Sequence, residues 1–344
     1  MTRIHEIREE QVLVIGGTGS LGVSLMKKLS ALNKVTLFSR DEAKHWTIRN
    51  ENLSVNRQVD FIVGDIRDRS RIYQAIKESQ PSVIILAAAL KQVDTCEIAP
   101  SESIKTNILG IQNVIDVVLE MNSPTIKTVC LVSTDKACAP TNVYGMSKAI
   151  AERLVVSASL SSSSTKFVAV RYGNVLESRG SIIPLYRYQS ENTKLLTVTN
   201  EEMTRFVMTL SESIALIEAT VTRANTGETW LPKLKSMKIM DLAEIFAKRT
   251  GSSVEITGIR PGEKLHEELV SEPESVRVQF LDEFMVMKPS FADFDSGRTF
   301  GYSSKDYLLN LSELESYLLS IGIFETPLSN FPGRKIEEIR TTER

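Results

Sequence analysis

The sequence predicts an α/β fold, a doubly wound parallel sheet followed by a smaller C-terminal lobe, and three observations carry that prediction. Short runs rich in β-branched residues alternate with helix-length amphipathic segments. Those runs are apolar on both faces, as in parallel strands, whose crossover connections lay helices over each side of the sheet. A glycine-rich turn, Gly16 to Gly22, follows the first run directly, and right-handed crossovers then wind the chain to both sides of that point.

The expected strands are Gln11–Ile15, Val35–Phe38, Asp60–Val63, Ser82–Leu86, Thr128–Val132 and Phe167–Val170, with helices filling the gaps. Ser157 to Thr165 reads as a polar loop between a helix and the next strand. After Gly173 the rhythm breaks into mixed helix and loop, Ile239 to Thr250 being the clearest later helix. Residues 1–175 are therefore expected to form the cofactor-binding domain. Residues 176–324 are expected to be mainly a substrate-binding lobe with room for segments that return to the first domain, and 325–344 a charged tail without an apolar period.

Composition removes several classes of function. With 344 residues, 42% hydrophobic and 24% charged, the chain suits one large or two closely packed globular units. A net charge of −2 argues against nucleic acid or an anionic membrane as partner. Cys96, Cys130 and Cys138 show neither CxxC nor Cys/His metal spacing, and their odd number fits a reducing compartment, so a cytoplasmic location is expected. Met1 to Glu10 lacks the apolar core of a signal peptide, and the longest apolar run, Val83 to Leu90, is too short to span a bilayer. His5, His45 and His266 are scattered without an acidic cluster, so no metal is expected.

Gly16-Gly17-Thr18-Gly19-Ser20-Leu21-Gly22 joins the first strand to the first helix, the setting a dinucleotide fingerprint requires. Glycines admit the pyrophosphate close to the backbone, and the helix N-terminus offers N–H groups and positive potential. The second strand ends at Phe38-Ser39-Arg40, where an NAD site usually presents an acid to the ribose. A hydroxyl and a guanidinium stand there instead, so Ser39 and Arg40, assisted by Lys44, favour the extra phosphate of NADP, with Asp41 nearby pulling the other way. Asp65, in Val63-Gly64-Asp65-Ile66, is placed to accept from the adenine amino group. Ala87-Ala88-Ala89 leaves room for the cofactor, and Lys91 brings a charge to the same crevice.

Ser133-Thr134-Asp135-Lys136, with Tyr144 and Lys148 downstream, reads as a redox site. Tyrosine and lysine one helical turn apart share a face, so the ammonium can stabilise phenolate and lower a pKa normally about 10. Such a tyrosine takes a hydroxyl proton as hydride leaves the same carbon. Asp135-Lys136 adds a second acid/base set that simple alcohol oxidation does not need.

These residues resemble the extended short-chain dehydrogenase/reductases, a Rossmann-type group, and within it the soluble inverting UDP-N-acetylglucosamine 4,6-dehydratases of the pseudaminic acid type. The resemblance runs from about residue 11 to about residue 288 and rests on GGTGSLG, FSRDE, GDIRD, AAALKQVD, STDKACAP, YGMSK, RYGNVLESRGSIIP, EEMTRF and GIRPGEKLHEEL. Related retaining dehydratases typically carry Asp-Glu where this chain has Asp135-Lys136. Glu177, where a small residue is common, and Cys138 depart from the pattern.

The resemblance implies NADP as cofactor, with Val175, Tyr144 and Lys148 also against it, and a UDP-sugar held by Lys91, Lys136, Asn174, Arg179, Gly180, Ser181, Thr199, Arg260 and Glu263. It implies that Tyr144 takes the 4-hydroxyl proton while Ser133 or Thr134 holds that oxygen. Lys136, neutral in a desolvated site, would remove the carbon-5 proton, Asp135 would protonate the leaving 6-hydroxyl, and Tyr144 would reprotonate carbon 5 from the opposite face. A homo-oligomer, dimer or hexamer, is implied as well. Arg260-Pro261-Gly262-Glu263 also reads as a turn into a helix at whose start His266 packs or hydrogen-bonds, Arg205 as structural or substrate-touching, and Met237 and Met240 as packing residues. A UDP-sugar epimerase with the same residues, a dehydratase that adds an epimerisation, a retaining UDP-glucose-type 4,6-dehydratase, and a catalytically idle NADP-binding sensor or scaffold remain the rival readings.

Overall fold

The computed structural model describes residues 5–51, 58–178, 180–293 and 299–325; the tail expected at 325–344 lies outside the described residues but for Glu325. Six parallel strands, β1 (Gln11–Ile15), β2 (Lys34–Ser39), β3 (Val59–Val63), β4 (Val83–Leu86), β5 (Thr128–Val132) and β6 (Lys166–Val170), lie in the order β3-β2-β1-β4-β5-β6. Each begins and ends within one residue of its predicted span. Alternate residues of β1 feed opposite cores: Val12 and Val14 pack with Leu25 and Leu29, Leu13 and Ile15 with Ile72 and Ile115. That division is the physical reason for runs apolar on both faces.

The sheet does not end at β6. Thr229–Pro232 adds a seventh parallel strand beside it, and the antiparallel pair Phe284–Met287 and Val278–Leu281 completes nine. From the segments before, between and after these returns the chain builds a lobe with its own core, in which Leu176, Ile183, Tyr186, Met237, Phe246 and Leu314 are buried and Met240 packs alongside. Ile239–Thr250 is a helix, as its periodicity predicts. The segment after Gly262 corrects the sequence reading: it runs into the strand Glu268–Val270, not a helix, and His266 Nδ1 lies 2.9 Å from Thr204 Oγ1.

Three contacts fasten the lobe over the carboxyl ends of the strands. The Gly262 carbonyl accepts from Thr141 Oγ1 at 3.2 Å and from Asn142 Nδ2 at 2.9 Å, and Lys264 Nζ donates to the Cys138 carbonyl at 2.6 Å. Deeper in, the buried Arg171 guanidinium bridges Glu152 at 2.6 Å and Glu274 at 2.8 Å. Among the described residues no helix is long and apolar enough to cross a membrane.

Candidate active site

Sheet order reverses between β1 and β4, and the loops at their carboxyl ends open a crevice there, the ligand position of an open α/β sheet. One cleft of about 300 Å³ is lined by Gly16, Thr18, Gly19, Ser39, Arg40, Asp41, Lys44, Asp65, Ile66 and Ala87 to Ala89, with Leu90 beyond. Gly16 adopts φ +93°, and a Cβ there would sit 2.5 Å from the Ala88 nitrogen, so only glycine lets the two loops meet. Ser20, Leu21 and Gly22 are not part of the lining; they start the helix Ser20–Leu29. A Gly22 Cβ would lie 2.5 Å from the Gly17 carbonyl oxygen. Ser39 Oγ lies 2.9 Å from Thr18 Oγ1 and 3.1 Å from His45 Nε2. Arg40 stands at the mouth, 4.0 Å from Asp65, while Asp41 is paired with Lys44 at 3.1 Å. Both Asp65 oxygens accept from Arg67, at 3.0 and 2.7 Å, and that guanidinium holds the carboxyl below its usual range.

A second cleft has a lining that starts at Lys91, next in sequence to Leu90 of the first. Lys91, Thr134, Asp135, Lys136, Tyr144, Asn174, Val175, Gly180, Ser181, Arg260 and Glu263 line it, so β4, β5, the helix Val143–Ala158 and the lobe all contribute. Lys91, expected at both cofactor and sugar, falls in this cleft and not in the first, as do Val175 and Tyr144, expected at the cofactor; Lys148 lines neither. Thr199 is outside its lining, with its hydroxyl turned to Met203 Sδ at 3.2 Å. Arg179 lies outside the described residues. Asp135 Oδ2, Asn174 Oδ1 and Ser181 Oγ are buried without a hydrogen-bond partner among the described residues, as are Ser133 Oγ and Glu267 Oε2 beside them. Buried polar atoms are rarely left so, and this concentration marks a place built to bind polar groups.

Local geometry sets where these side chains point. A short helical turn, Asp135–Ala137, follows β5, with the Thr134 hydroxyl donating to Asp135 Oδ1 at 3.0 Å. Asn142 caps the next helix by accepting from the Gly145 N–H at 2.8 Å. Gly145 presses on the turn so closely that a Cβ would lie 2.2 Å from the Lys136 carbonyl oxygen. Gly145→Ala is accordingly expected to cost about 1–3 kcal/mol of stability by overpacking and to lower turnover, as thermal unfolding and rate assays will show.

Two protonation states differ from the sequence expectation. Lys136, expected neutral, is held as an ammonium: despite burial it lies 3.2 Å from Asp135 Oδ1 and 3.0 Å from Glu267 Oε1, and the two carboxylates raise its pKa above the ordinary lysine value. Tyr144, expected to be lowered by Lys148, is pushed up to about 12 by burial; the largest opposing pull comes from the Lys136 charge, followed by a hydrogen bond with Thr134. Lys148 is itself lowered by burial to about 8, and its Nζ donates to the Val132 carbonyl at 2.7 Å. Asp135 is raised, by burial first and then by Glu267, against the pull of Lys136.

Sequence reasoning assigned no role to three contributors. Glu267, 2% exposed, reaches Lys136 from the lobe. Asn107 sits in a π-helical turn, Ile104–Leu109, a distortion frequent at functional sites. Its side chain accepts from the Leu90 N–H at 2.8 Å and donates to the Leu90 carbonyl at 2.9 Å and to Ser147 Oγ at 3.0 Å, tying the cleft loop to the tyrosine helix. Arg171 anchors Glu152 on that same helix. Arg205, left open between two roles, is buried, with Nη1 donating to the Thr204 carbonyl at 2.7 Å and Nε 3.9 Å from Glu267. Glu177 has φ +62° and pairs with Arg187 at 2.7 Å.

The reversed sheet, the glycine turn beneath the first cleft and the Tyr144–Lys148 helix beside the second define a Rossmann-type protein of the extended short-chain dehydrogenase/reductase class. More narrowly, the chain belongs to the polysaccharide biosynthesis protein family, whose model matches residues 12–289. It is 37% identical over 303 residues to a Campylobacter jejuni protein named UDP-N-acetylglucosamine 4,6-dehydratase (inverting), covering 86% of this chain and 88% of that one. It is 34% identical over 347 residues to a Rickettsia rickettsii protein named UDP-glucose 4-epimerase, covering 94% of this chain and 99% of that one. The X-ray structure of Pen from Bacillus thuringiensis superposes with a TM-score of 0.86 at 33% identity, over 92% of this chain and 99% of that one.

Proposed function

We propose that the protein is a nucleotide-sugar 4,6-dehydratase that inverts carbon 5, acting on UDP-N-acetylglucosamine with NADP as cofactor. The observation that carries this reading is the Asp135–Lys136 pair, which lines the cleft together with Tyr144 and is backed by Glu267 behind the lysine. Oxidation of a hydroxyl needs, besides a hydride acceptor, a single base such as Tyr144. Elimination across carbons 5 and 6 needs a second base and an acid, and the pair offers both.

Reversible hydride storage between carbon 4 and carbon 6 is the chemistry that a nicotinamide cofactor supplies when bound in the first cleft. The glycine cradle and the hydroxyls of Thr18 and Ser39 fit such a group, and Arg40 and Lys44 at the mouth favour the extra phosphate. Tyr144 takes the proton of the 4-hydroxyl, with Thr134 alongside. A ketone at carbon 4 makes the carbon-5 proton acidic. Within the Lys136–Asp135 pair, moving one proton across the 3.2 Å contact yields a neutral amine and a carboxylic acid at no net change of charge. The amine is the base for carbon 5 and the acid protonates the departing 6-hydroxyl. Proton return to carbon 5 from Tyr144, on the other face, inverts that centre. Arg260 and Lys91 are the cations suited to the diphosphate.

The name of the Rickettsia relative favours a second reading, a UDP-sugar 4-epimerase. That reaction returns hydride to carbon 4 and leaves Lys136 and Asp135 without a task. Incubating UDP-N-acetylglucosamine with the protein and NADP separates the two by mass: the dehydratase product is lighter by one water, the epimer unchanged.

Arg40→Ala is expected to weaken NADP by about 10- to 100-fold, the worth of one charge-assisted hydrogen bond, and to leave NAD nearly unaffected. Calorimetric titration with both cofactors checks it; equal weakening of the two would place Arg40 away from the extra phosphate.

A further inference from the structure

We propose that Glu267 is a positioning residue for the elimination step: the lobe supplies this carboxylate to hold the Lys136 ammonium beside Asp135, so that lobe and sheet together assemble the acid/base pair. The inference deepens the dehydratase reading and rests on it for the step concerned, while the contact itself stands on geometry.

Glu267 is 2% exposed, a place where a carboxylate survives only if paired. Its tightest partner is Lys136, at 3.0 Å through Oε1. Arg205 Nε is more distant at 3.9 Å, and that guanidinium is already engaged by the carbonyls of Thr204 and Leu265. Oε2 has no hydrogen-bond partner among the described residues, so the carboxylate's hold on the site runs through Lys136. The Glu267 backbone is pinned, its N–H donating to Ser304 Oγ at 3.0 Å while the Ser304 N–H donates to the Glu267 carbonyl at 2.8 Å. Lys136 thereby has two carboxylates to choose between, Asp135 from the turn after β5 and Glu267 from the lobe. A lysine with a single carboxylate would swing about it; one held from both sides keeps its nitrogen at a fixed point in the cleft.

The charged and titratable groups around this point are Asp135 and Lys136 on the turn, Tyr144 on the helix, and Arg205, Lys264 and His266 on the lobe. Against that background the Glu267 charge favours the protonated form at both Lys136 and Asp135. Removing it works in one direction at both, toward lower pH. A residue that only supported the fold would move neither.

The test compares the intact protein with Glu267→Gln and Glu267→Asp. The first readout needs no substrate: protein carrying ¹³C-labelled lysine is titrated by NMR, with the Lys136 signal assigned by its loss in Lys136→Arg. We expect the Lys136 midpoint to fall by at least about one pH unit in Glu267→Gln. We expect the pH–rate profile for dehydration to move the same way, with kcat reduced about 10- to 100-fold and KM within about twofold. Glu267→Asp keeps the charge but draws it back by one methylene, so it is expected to recover part of both effects. If the glutamine variant does not fold, the aspartate variant carries the test, with a smaller fall of the Lys136 midpoint in the same direction. An unmoved Lys136 midpoint, or a loss of kcat with an unshifted pH profile, overturns the proposal. A shifted midpoint in a protein that does not dehydrate UDP-N-acetylglucosamine supports the contact and sinks the substrate reading instead.

Discussion

Lys136→Ala is expected to lower turnover of UDP-N-acetylglucosamine by about 10²- to 10⁴-fold, the usual worth of a general acid/base group, with KM changed far less. Two effects combine. The variant loses the amine that lies between Asp135 and Glu267, so carbon 5 has no base. It also loses the charge that most strongly opposes the upward push of burial on Tyr144, so the phenol becomes harder to deprotonate and oxidation at carbon 4 needs higher pH. Deuterium uptake at carbon 5 in heavy water, followed against pH, separates the two. The exchange should be lost at every pH, because raising the pH can restore the phenolate but not the missing amine. Exchange at the wild-type rate would remove Lys136 from the chemistry and turn attention to the epimerase reading.

The largest expected effect on stability belongs to Arg171. Its guanidinium is 1% exposed and donates to Glu152, Glu274 and the Leu269 carbonyl, joining the tyrosine helix to the lobe. Arg171→Leu leaves the buried Glu152 carboxylate and the partly buried Glu274 carboxylate without their partner and is expected to cost about 3–5 kcal/mol, measured by denaturant unfolding. The pH dependence gives an independent check. Arg171 holds Glu274 down to about 2, against an ordinary value of 4.5. A carboxyl depressed in the folded state stabilises the protein fully above its unfolded pKa, and that stability drains away as pH falls from about 4.5 toward 2. The wild type should therefore lose stability through this window, and Arg171→Leu, already without the ion pair, should lose less of it. Parallel curves would mean that the triad contributes nothing to acid sensitivity. Replacing Arg171, Glu152 and Glu274 together by apolar residues should cost much less than Arg171→Leu, since no buried charge is then stranded.

What was legible in the sequence follows from where the signal lies along the chain. Strands such as Val83–Leu86 and Thr128–Val132 announce themselves because both faces are buried, a property of consecutive residues. The glycine turn and the Tyr144–Lys148 spacing are local too, and so is the Asp135–Lys136 pair. Glu267 was not legible as a partner of Lys136 because nothing local separates it from Glu268 next to it; only the lobe's return over the sheet shows which of the two faces the amine. Arg171 likewise looks like any arginine at a strand end until Glu274 arrives from the lobe. The protonation of Lys136 was misread for the same reason: burial was foreseen, while the second carboxylate, which reverses its effect, was not. The segment after Gly262 shows the opposite error, a turn extrapolated into a helix where the chain pairs Glu268–Val270 with Tyr302–Ser303.

The most direct test of the central claim is proton NMR of UDP-N-acetylglucosamine incubated with the protein and catalytic NADP in heavy water. The account predicts a new 6-deoxy methyl signal, deuterium at carbon 5, and ring couplings of the UDP-4-keto-6-deoxy-L-arabino-hexulose with carbon 5 inverted. A methyl signal with the original carbon-5 configuration would contradict inversion, and a 4-epimer still carrying its 6-hydroxyl would contradict the dehydratase altogether.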